Sequence, residues 1–201
     1  MPIHASRTAL GLEVAIRAGY PFRGTIQEVR NGPVHAVQMK DVDAAHGIEW
    51  RSVIRTRLGG RVEADWLAPE DLLFVARGTR FYASCVGELP GPAVCGPHLF
   101  HLRVRPGRAL LPAFLAWQIN QAPFQRALQR AAEGSSQLSV RRPVLESLPI
   151  SVPGMADQEH IVALARLAQR ERQLRDLLIR NRERQFEFIA EALARQSGQG
   201  S

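Results

Sequence analysis

From Ala156 to Arg195 the chain runs for 40 residues, ADQEHIVALARLAQRERQLRDLLIRNRERQFEFIAEALAR, without a glycine or a proline. A helix over that span is roughly 60 Å long, at about 1.5 Å per residue. That is too long to form one face of the small domain the remaining residues can build. Leu164, Leu167, Leu174, Leu178, Phe188 and Ala192 recur at three- and four-residue spacing, as in the seam of a coiled coil. Glu171, Asn181 and Gln185 interrupt the same seam. Polar seam residues cost stability but fix register and partner number. The spacing therefore predicts a helix that pairs with a partner helix; the alternative is a helix folded back on its own domain. The closing SGQGS reads as a flexible terminus.

The preceding residues have other periods. From about Gly19 to Val104 short extended runs alternate with turns. VHAVQMKDV (34–42) reads as a half-buried strand, and DLLFVARG (71–78) is a continuous apolar run ending in Arg-Gly. FYASCVGELPGPAVCGPHLFHLRVRPG (81–107) breaks at Gly87, Pro90-Gly91 and Gly96-Pro97 and predicts a meander of about three strands. From Leu111 the spacing turns helical, with Pro112 suited to a first helical position. Pro123 interrupts, and FQRALQRAAEG predicts a second short helix with Gly134 beyond its C-terminus. Pro149 and Pro153 frame a strand, ISV. The expectation is an α+β fold: a strand-rich domain with short helices over 1–153, a long helix over 154–196, and a tail over 197–201.

The chain carries a net charge of +7, and the excess is unevenly placed. Residues 1–155 hold 18 basic and 12 acidic side chains; residues 156–201 hold 8 and 7. Lys40 is the only lysine. A cationic globular part points to a polyanion, most simply double-stranded DNA. With 45% apolar residues a real core is expected. No run of about 18 apolar residues suggests a membrane span, and the start lacks the pattern of a secretory leader. A cytoplasmic protein is expected, with Cys85 and Cys95 as reduced thiols.

No nucleotide-binding or hydrolase motif is present. The only lysine precedes Asp41, so there is no phosphate-binding P-loop; no G-x-G-x-x-G follows a strand, and there is no G-x-S-x-G. CGPHLFH offers Cys95, His98 and His101, with Cys85 upstream, but two histidines three apart on a strand face opposite ways. Hence no metal site is assigned. Lys40, Asp41 and Asp43 in VQMKDVD have some features of a metal-dependent nuclease, yet Gln38 stands where a second carboxylate is needed. A turn after a strand accounts for both aspartates.

What remains are cations where regular elements end. Arg23 lies in GYPFRGT, Arg77 and Arg80 in ARGTRFY beside Tyr82, and Arg141 and Arg142 follow GSSQLS. Arginine forks suit phosphate oxygens and the guanine edge. Gln137 suits adenine, and Ser135 and Ser136 suit phosphate. With Lys40 these form the candidate DNA-binding set: Arg23, Lys40, Arg77, Arg80, Tyr82, Ser135, Ser136, Gln137, Arg141 and Arg142.

In their order and spacing, several segments resemble the specificity (S) subunit of type I restriction–modification systems, over one half of its length. They are GYPFRG, VQMKDVD, EDLLFVARGT, LPAFLAWQINQ and the passage EGSSQLSVRRPVLESLPISVPGMADQEHIVALARL. MADQEH departs from the family's Pro-Leu-x-Glu-Gln, while Gln158 is retained. The resemblance implies a subunit without catalytic residues or cofactor, which reads a split DNA site for a methyltransferase subunit. That partner would use S-adenosylmethionine to methylate adenine, and an ATP- and Mg-dependent restriction subunit can join. Complete S subunits carry two recognition domains and two antiparallel spacer helices. This chain has one of each, so the expectation is a homodimer through the helix, which is rooted at the DNA-contacting loop. The alternatives are an adaptor or decoy that binds a methyltransferase subunit without reading DNA, and the nuclease centred on Lys40 and Asp41.

Overall fold

The computed structural model describes residues 4–59, 62–132, 134 and 138–197. The chain divides into two compact units, Met1–Val162 and Ala163–Ser201. The first, the head, contains β1 (Ala5–Ala9), α1 (Leu10–Glu13), β2 (Val14–Ala18) and β3 (Val34–Val37). After a 3-10 turn at Met39–Asp41 come β4 (Val42–Asp43), β5 (Gly47–Ile48), β6 (Ile54–Thr56), β7 (Leu72–Val75), β8 (Tyr82–Cys85), β9 (Ala93–Cys95) and β10 (Leu99–Val104). Then follow α2 (Pro112–Ile119), α3 (Ala122–Ala131), α4 (Arg142–Ser147) and β11 (Pro149–Pro153). The helix α5 (Met155–Ser197) begins in the head and makes up the second unit. The architecture is α+β.

The main sheet has the order β2-β10-β7-β8, all antiparallel. A second sheet, β6-β3-β9, contains the parallel pair β3–β9. β7 explains why DLLFV is an unbroken apolar run. Leu72 and Phe74 point into the core shared with α2, α3 and α4, while Leu73 and Val75 point into a second core with Val37 and Leu99. Both faces are buried, so polar alternation has no place. The two sheets meet at Gly19, where a Cβ would stand 1.9 Å from the Gly96 carbonyl oxygen. Only glycine fits there.

The helix expected from Leu111 lies at Pro112–Ile119, with its proline in the first turn. Side-chain amides satisfy backbone edges around it. Asn120 accepts from the Ala83 N–H at 2.9 Å and donates to the Ala83 carbonyl at 2.8 Å, closing the free edge of β8. Gln118 does the same for Ser151 on β11, at 3.0 and 3.3 Å.

Several expectations are corrected. Segment 81–107 does hold three strands, but not a meander. β8 and β10 flank β7 on opposite sides, and β9 belongs to the other sheet. Extended structure begins at Ala5, before Gly19, because β1 pairs with β11 and β2 with β10. Pro123 lies in the first turn of α3 rather than interrupting, and α3 ends at Ala131 with an extended Ala132, leaving Gly134 outside its cap. Arg142 is the first residue of α4, not a loop residue.

Candidate nucleic-acid interface

The topology gathers loops at one end of the head. β10 starts opposite the end of β7, Leu99 facing Val75, and β8 starts there too, Tyr82 facing Val75. β2 ends there, since the Gly19 N–H donates to the Leu99 carbonyl at 3.0 Å. The second sheet joins through Tyr20 N–H to the Cys95 carbonyl, 2.7 Å, and Gly96 N–H to the Val37 carbonyl, 2.8 Å. Loops carrying Arg23, Lys40, Arg77 and Arg80 leave from these ends. A distant segment then joins them. Gly78 N–H donates to the Leu138 carbonyl at 3.0 Å, and Val140 N–H to the Ala76 carbonyl at 2.9 Å. Arg77 and Ser139 form an antiparallel bridge. The two basic stretches around Arg77 and Arg141 are thus side by side despite some 60 intervening residues.

Arg23, Lys40, Arg80, Arg141 and Arg142 are exposed and Arg77 is half-buried. Arg142 Nε lies 3.4 Å from Glu146 Oε1, one helical turn on. Tyr82 donates its hydroxyl to the Val42 carbonyl at 2.7 Å, so the phenol tethers β4 to β8. Burial and the nearby Asp43 raise its pKa. Ser135, Ser136 and Gln137 lie outside the described residues.

The carboxylates near Lys40 are occupied in building the turn. Asp41 is buried, accepting from Gln38 N–H at 2.9 Å and from the Ser52 hydroxyl at 3.3 Å. Asp43 accepts from Ala45 and His46 N–H, both at 2.8 Å, and its other neighbour is His46 Nδ1 at 2.9 Å. Partial burial opposes ionisation, but those amides and His46 outweigh it and lower the Asp43 pKa. The cysteine and histidines of CGPHLFH form no ligand group either. Burial pushes the Cys95 thiol up to about 12. His98 sits in a left-handed turn, φ 69°, and His101 is buried. Among the described residues no group of three or more potential ligands is placed to hold a metal. A groove of about 430 Å³ between α2, α3 and the β1–β11 ribbon is lined by Arg7, Trp117, Phe124 and Arg130, with no acid or histidine.

One charged cluster was not anticipated from sequence. Asp71, buried at the start of β7, accepts a two-pronged contact from Arg103, Nε at 2.8 Å and Nη2 at 2.7 Å. The Ala68 N–H adds a third bond at 2.6 Å. His101 Nδ1 lies 2.6 Å from Asp65, which also accepts from Arg17 at 2.8 Å. His101 Nε2 is 2.7 Å from Asp71, but off the line of a hydrogen bond. Burial acts to raise the Asp71 pKa; Arg103, His101 and the Ala68 amide outweigh it and hold the carboxyl at about 2. The cluster straps residues 65–71 across β10.

In the second unit the seam side chains have no cover. Leu164, Leu167, Leu174, Leu178 and Phe188 are all exposed, from 46% at Leu174 to 68% at Leu167. Asn181 and Gln185 are exposed beside them, and the Ala192 side chain lies outside the described residues. Leu177, Ile179, Phe186 and Ile189 are also exposed apolar residues; the single 3-4 seam did not single them out.

Set against solved structures, the chain matches the S subunit of the type I restriction–modification system of M. genitalium. That match has 14% identity and a TM-score of 0.57 over 90% of this chain and 43% of that one. The HsdS subunit of Thermoanaerobacter tengcongensis matches at 16% identity and a TM-score of 0.59, over 85% and 39%. A chain from a type I restriction–modification assembly, solved to describe its complex assembly and conformational transition, matches at 16% and 0.57, over 87% and 43%. The fold is that of a type I S subunit. The chain spans about two fifths of the length of these structures. No protein-family model matches the sequence, and neither does any curated protein.

Proposed function

We propose that this chain is the sequence-specific DNA-recognition subunit of a type I restriction–modification, or DNA adenine methyltransferase, complex. It reads one half of a split site and supplies no catalytic group. S-adenosylmethionine, Mg and ATP belong to the methyltransferase and restriction subunits it serves. The observation that carries this reading is the gathering of Arg23, Lys40, Arg77, Arg80 and Arg141 at one end of a head whose fold is shared with S subunits. Cations on loops held by a rigid sheet are suited to track phosphates while neighbouring side chains read base edges.

The reading continues into the helix. Two copies of α5 pair antiparallel, so that two heads read a palindromic split site. Centred between Leu174 and Leu178, the pairing sets Leu174 opposite Leu178, Glu171 opposite Asn181, Leu167 opposite Gln185 and Leu164 opposite Phe188. Polar then meets polar at Glu171–Asn181, whereas centring the pair between Glu171 and Leu174, or between Leu178 and Asn181, would set Glu171 against Leu174 or Phe188. Ile179 and Phe186 each lie about 100° around the helix from the seam residue before them. They stay available for the methyltransferase subunit.

The test is a gel shift with random duplex at rising salt, for the chain alone and with the methyltransferase. Wild-type affinity should fall steeply with salt. Replacing Arg141 and Arg142 together by Ala should weaken binding to all duplexes and reduce the logarithmic salt slope by up to about 1.8. Folding stability should change by no more than about 1 kcal/mol, since both arginines are exposed and the Arg142–Glu146 pair lies at the surface. Binding to the methyltransferase with no duplex affinity at any salt would instead mark an adaptor.

A further inference from the structure

Gln158 is fully buried in the second turn of α5. Its Oε1 accepts from Leu111 N–H at 2.8 Å. Its Nε2 donates to the carbonyls of Ala109 and Pro153, both at 2.8 Å. Its side chain thus ties α5 to two other stretches of backbone. Ala109 and Leu111 belong to the link between β10 and α2, and Leu111 is the residue that precedes α2. Pro153 ends β11. One turn on, Val162 is buried in the main core and Ile161 packs against it. Beyond Val162 no described residue of α5 is buried.

The root is not at the basic loop, contrary to the sequence expectation. α4 and β11 separate Arg141 from α5, and Ala109 and Leu111 follow the end of β10 opposite the gathered loops. The covalent connection there is Gly154, around which a Cβ would meet nothing within 4 Å. Glycine has no side chain of its own to hold the first turns against the head. An amide can do so because it offers a donor pair and an acceptor on one short, planar group. A buried set of unmet backbone groups is the cost of replacing it.

We propose that Gln158 is a positioning residue for half-site spacing: it fixes the first two turns of α5 to the head, so that the pairing of two helices is transmitted to the reading loops as one separation along DNA. This rests on the DNA-reading function proposed above and names the residue that makes the helix a ruler. One base pair changes the separation by about 3.4 Å and the rotation by about a tenth of a turn. A loose root tolerates both changes; a fixed one does not.

The experiment is selection from random duplex by the full chain together with its methyltransferase, for wild type, Gln158→Met and Gln158→Glu. Met keeps length and helix preference but has no donor, and Glu keeps an acceptor while setting an oxygen against two carbonyls. Leu128→Ala, a core change away from the root, serves as a control for general loss of stability. Amide hydrogen exchange reports whether Leu72–Val75 stays protected while the root opens. Wild type and Leu128→Ala should select two half-sites at one spacing. Both Gln158 variants should select the same half-sites with spacings spread over neighbouring values, discrimination between them falling about tenfold or more. A single sharp spacing from the Gln158 variants, with the root amides exchanging fast, overturns the proposal. So does equal broadening in Leu128→Ala, or loss of the half-site sequence while the head stays protected. Failure of wild type to select any sequence removes the DNA-reading function itself, and this inference with it.

Discussion

The head and the second unit use the same side chains to opposite ends. Leu72, Leu102 and Leu115 are fully buried in the head, whereas Leu167 and Leu178 on α5 are more than half exposed. Arginine–carboxylate pairs divide in the same way. Arg103 grips a carboxylate that is 3% exposed, while Arg195 and Glu191 meet at 3.5 Å with both largely in solvent. The head gets its folding free energy from within one chain. The helix carries apolar surface that lies exposed, and a lone helix has no core of its own; the proposed pairing is what would bury it.

The broadest way to break that comparison is to remove equivalent apolar groups from each unit. Phe74→Ala should destabilise the head by about 3–5 kcal/mol, through lost burial and the cavity left behind. Leu178→Ala in dilute, unpaired protein should cost no more than about 0.5 kcal/mol. Urea melts followed by near-ultraviolet circular dichroism measure the first, and far-ultraviolet melts at low concentration the second. A Leu178→Ala cost of several kcal/mol at concentrations where the protein is a monomer means that the helix is already packed, and the contrast fails.

Next in size is the seam. Leu174→Glu with Leu178→Glu sets like charges together at the centre of the proposed antiparallel pair. Self-association in sedimentation should weaken at least about a hundredfold, near 3 kcal/mol, with the urea transition of the head unmoved. Orientation can be sharpened separately in a chain with Cys85 and Cys95 replaced by Ser. Glu171→Cys with Asn181→Cys should give an oxidised dimer, while Leu174→Cys alone should not. Efficient linking of Leu174→Cys to itself would make the pair parallel.

The contrast also explains which parts of the structure were legible. α5 was readable because 40 residues without a breaker leave few other choices, and Pro112 and the DLLFV run carry their own local signals. β1 and β2 were missed because each is five residues long and their partners lie far along the chain, β11 and β10 respectively. α4 is six residues, too short for a helical period to register. The meander failed because adjacency in sequence is silent about a parallel partner such as β3 for β9. The arginine loops could be named one by one, but their meeting depends on the bridge between Arg77 and Ser139. Asp65, Asp71, His101 and Arg103 form no motif, since their contacts span 30 residues or more.

The smallest expected effect tests the head's own charge tie. Asp71 has a folded pKa of about 2 against an ordinary 3.8. A depressed carboxyl contributes stability that is fully present above pH 3.8 and is lost as pH falls from there through about 2. The amount is on the order of 2 kcal/mol. Wild-type urea stability should therefore drop more between pH 5 and pH 2.5 than that of Asp71→Asn, which has no such proton to take up. Asp71→Asn itself should be less stable at pH 5, by about 1–3 kcal/mol, because Arg103 loses a charged acceptor yet can still turn its half-exposed guanidinium to water. Glu191→Gln, which removes the exposed pair on α5, should alter stability by no more than about 0.5 kcal/mol and leave the acid dependence as it was. Equal acid slopes in wild type and Asp71→Asn would mean that the Arg103 fork is open in solution. In that case the electrostatic half of the contrast falls, and only the difference in apolar burial between the two units remains.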